Sequence, residues 1–207
     1  MYSQSESWKW SHAAYVQEVI TTEFDLSDLR PAEVAPFLDR FPKAPAVEIK
    51  SQVPAYLLGG RSGGIQWSAF KNYALEDPEE AAEALSLLFD EDEPLAERLR
   101  RFNSFCRPLE TSGGPMLSLA TMFLMFAYPQ EYVMYKYGKF RAFFGAYSDY
   151  EVTTGYDVDQ YWILNEGCRR IRRRLSDEFA ADPRIDVDAD MLDVHTFIWV
   201  TEKYERL

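Results

Sequence analysis

The sequence predicts an all-α fold, mostly helical with at most one short hairpin, arranged as a compact bundle of helices around a buried central helix. Apolar residues recur at spacings of three and four along much of the chain, a pattern typical of amphipathic helices. Hydrophobic residues make up 47% of the 207 residues, enough for a sizeable core. We therefore expect one domain over residues 1–207, with N-terminal helices and a glycine-rich loop in 1–62 and the core of the bundle in 63–207.

Two helices are predicted in the first forty residues. The first covers residues 7–20, with Ser5 or Ser7 available as its N-cap. Its apolar face comprises Trp8, Ala14 or Tyr15, and Val19. The second is short and has Pro31 in its first turn, a position that favours proline. Ser27 or Asp28 is the expected N-cap of this second helix.

Two glycine pairs, Gly59-Gly60 and Gly63-Gly64, predict a mobile loop before a helix that begins near Ile65. A glycine-rich loop that enters a helix can bind phosphate. The Walker pattern, however, requires a Lys-Ser/Thr pair, which is absent here. A helix stop followed by a turn is the favoured interpretation.

Helix-start signals are clearest in the middle of the chain. Asp77, Pro78 and the two glutamates that follow form a cap, a proline and an acidic first turn, and Ala81, Leu85 and Leu88 then share a face. A second helix is predicted from Glu93-Pro94 towards Cys106. The stretch 112–126 is apolar on all sides but too short to span a bilayer, so it is predicted to be the buried central helix.

Three further helices are predicted in the last third of the chain. After a connection near residues 132–135, a basic and aromatic helix extends to about residue 144. A long helix follows over residues 156–179, and the last covers 190–204. The expected inner face of the long helix comprises Tyr161, Leu164, Cys168, Ile171 and Leu175.

The charge of the chain is unevenly distributed. The net charge is −12, from 22 basic and 34 acidic residues, which argues against uniform coating of nucleic acid or of an anionic membrane. Residues 76–98 carry ten acids against one arginine, and 175–190 carry six against one. Residues 129–174, in contrast, have eight basic and six acidic residues. Adaptation to high salt is an alternative explanation of the acidity.

No catalytic group, cofactor or metal site is predicted. Cys106 and Cys168 are too few for a disulfide scaffold or a four-ligand zinc site, and both lie in apolar helical patterns. His12 and His195 leave little material for a histidine-based metal centre, and His195 is interpreted as a core or interface residue. Without a signal peptide or an apolar run of membrane length, we expect a cytoplasmic protein that is not an enzyme and does not bind a membrane.

Four aspartates near the C-terminus lie at alternating and then helical spacing: Asp186, Asp188, Asp190 and Asp193. The sequence superficially resembles a calcium loop, but the glycine and the final glutamate of an EF-hand are missing. A capped helix preceded by an acidic loop is the favoured interpretation.

A run of arginines on the long helix, close to an aromatic and basic stretch, is the candidate nucleic-acid surface. Arginine suits bidentate phosphate contacts, and aromatic rings beside cations can stack on bases. The helix start at Gly113 and Gly114 could offer backbone amides to one phosphate. The alternative is that the arginines form contacts within the protein and neutralise the acidic segments 76–98 and 175–190. The predicted DNA contacts are Lys136, Lys139, Arg141, Arg169, Arg170, Arg172, Arg173 and Arg174.

Four segments in order resemble the helical N-terminal region found ahead of the motor in McrB-like restriction ATPases and related prokaryotic defence proteins. They are GIQWSAFKNY (64–73), GGPMLSLATMFLMFAYPQEYVMYKYGKF (113–140), GYDVDQYWILNEGCRRI (155–171) and DMLDVHTFIWV (190–200). The resemblance implies a target-sensing module of a DNA-directed antiviral or restriction system, and it implies no catalytic residue. Since the chain has no Walker motif, it is either a detached module or a partner of a separately encoded AAA-type ATPase or nuclease.

A second, weaker resemblance is to helix-hairpin-helix DNA glycosylases, in the glycine turn, helix and proline connection of residues 112–138. The carboxylate that these enzymes need after that connection is missing, since residues 133–137 contain no acid. The sequence therefore predicts a non-catalytic module that binds DNA or a DNA-bound partner. The alternative is a protein–protein adaptor whose acidic helices dock on a basic partner without any nucleic-acid contact.

Overall fold

The computed structural model describes residues 8–42, 53–59, 61–109 and 113–204, and this part of the chain forms ten helices and no strand. The predicted all-α class is confirmed. In the described residues, no helix is both long and apolar enough to span a membrane.

The first helix, α1, covers Trp8–Tyr15 and continues through a π-helical turn, Val16–Ile20, to Thr21–Glu23. The others are α2 (Pro31–Arg40), α3 (Val53–Gly59), α4 (Arg61–Glu76), α5 (Pro78–Phe89), α6 (Leu95–Cys106), α7 (Gly113–Ala127), α8 (Tyr137–Tyr147), α9 (Val158–Ala180) and α10 (Met191–Tyr204).

The buried face of α1 differs from the predicted one. Trp8 and Val19 are only half-buried, whereas Val16 and Ile20 are fully buried. The π-helical turn explains part of this difference, because each π-helical turn takes up more residues than an α-helical turn and rotates the following side chains. The predicted caps of the helix, Ser5 and Ser7, lie outside the described residues.

Helix α2 begins at Pro31 as predicted, but neither Ser27 nor Asp28 caps it. The N-cap residue is Arg30, and its backbone N–H donates to the Glu33 carboxylate at 2.9 Å. This is the glutamate half of a capping box, in which a side chain of the first turn reaches back to the N-cap amide. The turn before the helix is closed instead by Asp25, whose carboxylate accepts from the Ser27 amide at 3.2 Å.

The loop predicted around the glycine pairs is shorter than expected. Gly59 ends α3 with a φ of +124°, a conformation that side chains rarely adopt. Helix α4 begins at Arg61, so Gly63 and Gly64 lie inside a helix and the prediction of a loop up to Ile65 is wrong. Because tertiary packing supplies most helical stability in proteins, the buried aromatic residues further along α4 outweigh the low helix propensity of glycine.

Helix α7 is the buried centre of the structure, as predicted. From Met116 to Phe126 every side chain is buried, and the ring of Phe123 lies at the middle of an aromatic cluster. Helices α2, α4, α5 and α6 each contribute rings to this cluster. The centroids of the neighbouring rings lie 4.8–6.3 Å from that of Phe123, in the residues Phe37, Phe41, Trp67, Phe70, Phe89 and Phe102.

Helix α9 is fixed against the non-helical connection between α7 and α8. Asn165 accepts from the Val133 amide at 3.0 Å and donates to the Glu131 carbonyl at 2.9 Å. The Tyr161 hydroxyl donates to the Val133 carbonyl at 2.9 Å. Of the predicted inner face, Tyr161, Leu164 and Cys168 are buried, while Ile171 and Leu175 are only half-buried because the core ends before them.

A single buried arginine joins α5, α6 and the connection after α7. Helix α5 begins with the predicted cap, in which Asp77 accepts from the Glu80 amide at 3.0 Å. At its other end, Arg98 donates to the Leu88 carbonyl through Nε at 2.9 Å and Nη2 at 2.7 Å, and to the Tyr132 hydroxyl at 3.0 Å. Arg98 is only 1% exposed. Its cation thus satisfies a carbonyl at the negative end of the α5 dipole.

Replacing Arg98 with methionine is therefore expected to lower the free energy of unfolding by about 3 kcal/mol, because the buried Leu88 carbonyl and Tyr132 hydroxyl lose their donor. Chemical denaturation of the purified variant measures this loss. The control is Arg100→Met on the same helix, where the side chain is exposed and forms only surface ion pairs, with Glu97 and Asp159. The control is expected to change stability by less than about 0.5 kcal/mol, and equal losses in both variants would contradict the capping role.

Candidate nucleic-acid interface

Arg169, the first arginine of the run on α9, is neutralised inside the protein. Its guanidinium forms ion pairs with Glu131 at 2.8 Å and with Glu166 at 2.7 Å, and Nε donates to the Glu131 carbonyl at 3.2 Å. The side chain links α9 to the connection before α8. Arg169 was predicted to contact DNA, but two carboxylates and a carbonyl already occupy its donors.

Two further arginines of the run also have partners. Arg172 donates through Nη1 to the carbonyl and to the side-chain oxygen of Gln130, the latter at 3.2 Å, so it is positioned but keeps its charge. Arg174 forms an exposed ion pair with Glu178, one turn further along α9, at 2.8 Å. An exposed pair of this kind is weak and can exchange with another anion.

Arg170 and Arg173 remain open to solvent. Both side chains are exposed, and within the described part of the chain neither forms a hydrogen bond or an ion pair. The outward stripe of α9 that contains them, at spacings of three and four, also carries Trp162, which is 57% exposed. The solvent face of α9 therefore combines two available cations with an aromatic ring. Ile163, 45% exposed, adds apolar surface beside the ring.

The three basic residues near α8 are held in different environments. Lys136 donates to the Leu57 carbonyl at the end of α3, and burial together with the nearby Lys139 lowers its pKa to about 8. Lys139 lies over the ring of Trp199 at 4.2 Å. Arg141 is exposed and donates to the Tyr137 hydroxyl at 3.2 Å. The predicted set of eight cations thus does not form one uniform patch.

The glycine helix start is present, since α7 begins at Gly113 and includes Gly114. Residues 110–112, which lead into it, lie outside the described residues. The phosphate contact at these amides stays a prediction.

The alternative interpretation, in which the arginines of the run neutralise the acidic segments 76–98 and 175–190, is wrong for most of the run in the described residues. Within the described residues, no arginine of the run pairs with the acidic segment 76–98, and Arg174–Glu178 is its one ion pair with 175–190. Two ion pairs join 76–98 to arginines of α6, Glu83 with Arg101 and Glu97 with Arg100. The partners of the run, Glu131, Glu166 and Gln130, lie in neither acidic segment.

The C-terminal aspartates form a helix cap, as favoured by the sequence. Asp190 accepts from the amides of Leu192 at 2.8 Å and Asp193 at 2.9 Å, and Asp193 accepts from the Asp190 amide at 2.9 Å. Among the described residues, no group of three or more histidine, cysteine or acidic side chains is placed to hold a metal ion.

A buried polar cluster beneath α1 was not predicted from the sequence. Lys9 is buried and donates to His195 Nδ1 at 3.3 Å and to the Thr196 hydroxyl at 3.4 Å. Because an ammonium group can only donate, a charged Lys9 requires the His195 tautomer whose Nδ1 accepts. Burial, Lys9 and Lys136 hold the pKa of His195 well below its usual range. The residues next to Lys9 in the sequence give no signal of its burial, because adjacent residues of a helix do not face each other.

Cys106, Cys168 and His12 show no sign of catalytic activation. Burial raises the pKa of both thiols and lowers the pKa of His12 to about 3. The ring of His12 packs edge-on against Phe126, with centroids 4.5 Å apart. The two cysteines belong to the apolar core, as the sequence suggested, and His12 lies there too.

Comparisons with known proteins supply no relative. No family model, curated protein or solved structure matches this chain.

The Asp190 carboxyl of this cap is expected to make the stability of the protein depend on pH. Burial and the neighbouring Asp193 raise the pKa of Asp190 to about 7, so between about pH 4 and pH 7 the folded protein holds a proton that the unfolded chain releases. The stabilisation that this bound proton gives the folded protein is therefore lost as the pH rises towards 7. Asp190→Asn keeps the capping oxygen without the charge, and we expect its stability relative to wild type to increase between pH 5 and pH 8.

Urea denaturation of both proteins at the two pH values measures this difference. A constant difference between variant and wild type would show that Asp190 ionises in the folded protein as it does in the unfolded chain, which contradicts a raised pKa for this carboxyl.

Proposed function

We propose that the protein is a non-catalytic helical module of a prokaryotic DNA-directed defence system, acting in the cytoplasm and binding DNA or a DNA-bound partner. One observation supports this most: within the described residues, Arg170 and Arg173 stand exposed and unpaired on the same face as Trp162. Guanidinium groups bind phosphate, and an exposed indole ring can stack on an unpaired base. The binding surface is therefore narrower than the run of arginines in the sequence.

The acidic remainder of the protein limits how strongly it can bind DNA. With a net charge of −12, most of the surface repels phosphate, so we expect DNA contacts to be restricted to the exposed arginines of α9 and to Arg141. We expect weak, salt-dependent affinity of the kind a sensing module has when a partner motor adds further contacts. The defence context comes from the resemblance to McrB-like N-terminal regions, which also suggests a separately encoded ATPase or nuclease as the partner.

The proposal predicts that Arg170→Ala/Arg173→Ala lowers the affinity for DNA by at least about threefold at ~0.1 M salt, because two phosphate contacts are lost. Fluorescence anisotropy with labelled single-stranded and double-stranded oligonucleotides measures this. The matched control is Arg30→Ala/Arg107→Ala, which makes the same change in net charge at exposed arginines outside α9.

The control is expected to bind within about twofold of wild type. Wild-type protein that does not bind either oligonucleotide, or equal losses in the two double variants, would rule out a DNA-binding surface at Arg170 and Arg173.

An adaptor that binds a basic protein is the second candidate, and the acidic helices favour it. Of the ten acids in residues 76–98, only Glu83 and Glu97 form an ion pair with the described part of the chain. The segment includes the start of α5 and the loop between α5 and α6, so its charge is presented over one connected region. Such a surface attracts a basic partner.

If the adaptor function is correct, a basic protein should co-purify with the wild type and with the variant Arg170→Ala/Arg173→Ala. The same protein should no longer co-purify with the variant Glu79→Gln/Glu91→Gln/Glu93→Gln. Affinity purification followed by mass spectrometry makes the comparison. The same set of co-purified proteins from all three forms would argue against docking through this segment.

A further inference from the structure

A surface cleft of about 390 Å³ lies between α9 and the segment that leads into α10. The cleft is open to solvent on one side, and its volume is large enough to admit a small molecule. One wall is the C-terminal half of α9, the opposite wall is the end of the connection to α10, and Gln130 contributes from the connection between α7 and α8. The lining residues are Gln130, Arg172, Arg173, Ser176, Asp177, Asp188 and Ala189.

Hydrogen bonds that involve several of the lining residues hold the walls of the cleft together. The Ala189 amide donates to the Ser176 hydroxyl at 3.1 Å and ties the connection to α9. Next to it, the Met191 amide donates to the Pro129 carbonyl at 2.7 Å. Arg172 is oriented by Gln130. A ligand would therefore enter a formed cleft and would not have to order its walls, which lowers the cost of binding.

The charges that line the cleft are opposite and equal in number. Arg172 and Arg173 face it with Asp177 and Asp188, so the lining carries no net formal charge. In the described part of the chain, Arg173, Asp177 and Asp188 form no ion pair with one another or with other residues. Arg173 and Asp177 are one helical turn apart, a spacing that allows pairing on a helix surface. The arginines and the aspartates of the lining are thus both available to charged groups of a ligand.

A lining of this kind discriminates by charge pattern. A simple anion such as phosphate meets two aspartates, and a simple cation meets two arginines, so neither gains from the whole site. A ligand with one group of each sign can place its carboxylate at the arginines and its ammonium group at the aspartates, and each contact is a charge-assisted hydrogen bond.

We propose that this cleft binds a small zwitterion, a molecule such as an α-amino acid or a short peptide that carries one carboxylate and one ammonium group. Arg172 and Arg173 hold the carboxylate, and Asp177 and Asp188 hold the ammonium group. The inference does not depend on the proposed DNA function, although Arg173 belongs to both surfaces.

Isothermal titration calorimetry with the individual L-α-amino acids and glycylglycine tests the proposal. At least one of these probes should bind, and its N-acetyl and methyl-ester derivatives, each of which lacks one charge, should bind at least about tenfold more weakly. Asp177→Asn/Asp188→Asn should weaken binding of the unmodified probe by a similar factor. The matched control, Glu91→Gln/Asp92→Asn, removes the same charge from the loop between α5 and α6 and should bind as wild type does.

The same variants separate this site from the DNA surface. Asp177→Asn/Asp188→Asn removes negative charge beside Arg173, so its DNA affinity should stay the same or increase while zwitterion binding falls. Binding of none of the probes would overturn the proposal. Equal affinity for the N-acetyl derivative, or unchanged binding by Asp177→Asn/Asp188→Asn, would overturn it as well.

Discussion

The complete burial of α7 is the constraint on which the rest of the structure depends. A helix that is apolar on every side has no face to offer to water, so other helices must surround it. Phe123, near its middle, contacts rings from α2, α4, α5 and α6. Because the interior is filled in this way, nearly all of the charge lies at the surface. Among the described residues, Lys9 and Arg98 are fully buried exceptions. Arg98 is buried where it satisfies the open carbonyl of Leu88 at the end of α5.

The geometry of α9 decides what its arginines can do. Successive residues of a helix point about 100° apart, so five arginines within six residues cannot share one surface. Arg169 and Arg172 turn towards the connection before α8 and hold it in place. Arg170 and Arg173 turn towards solvent. The same run therefore stabilises the fold with some members and leaves others for binding, and its composition alone overstates the size of the binding surface.

Local signals allowed much of the fold to be predicted, and distant contacts account for most of what was missed. Helices α5 and α7 follow from the Asp77 cap and from a continuous apolar run, which are both visible within a few residues. The π-helical turn of α1 and the helical Gly63 depend on packing against other segments. The partners of Arg169 could not be predicted either, because Glu131 lies 38 residues earlier in the chain and nothing in the sequence marks it as a neighbour.

The dependence of DNA affinity on salt tests most directly whether only the exposed arginines without a carboxylate partner are available to phosphate. The logarithm of the association constant falls with the logarithm of the salt concentration in proportion to the number of phosphate contacts. Two or three contacts, from Arg170, Arg173 and Arg141, predict a slope of about −2 to −3. A slope of about −7 would mean that all eight cations bind phosphate, and a slope near zero that none does. Either result would contradict the division of the arginines into structural and binding members.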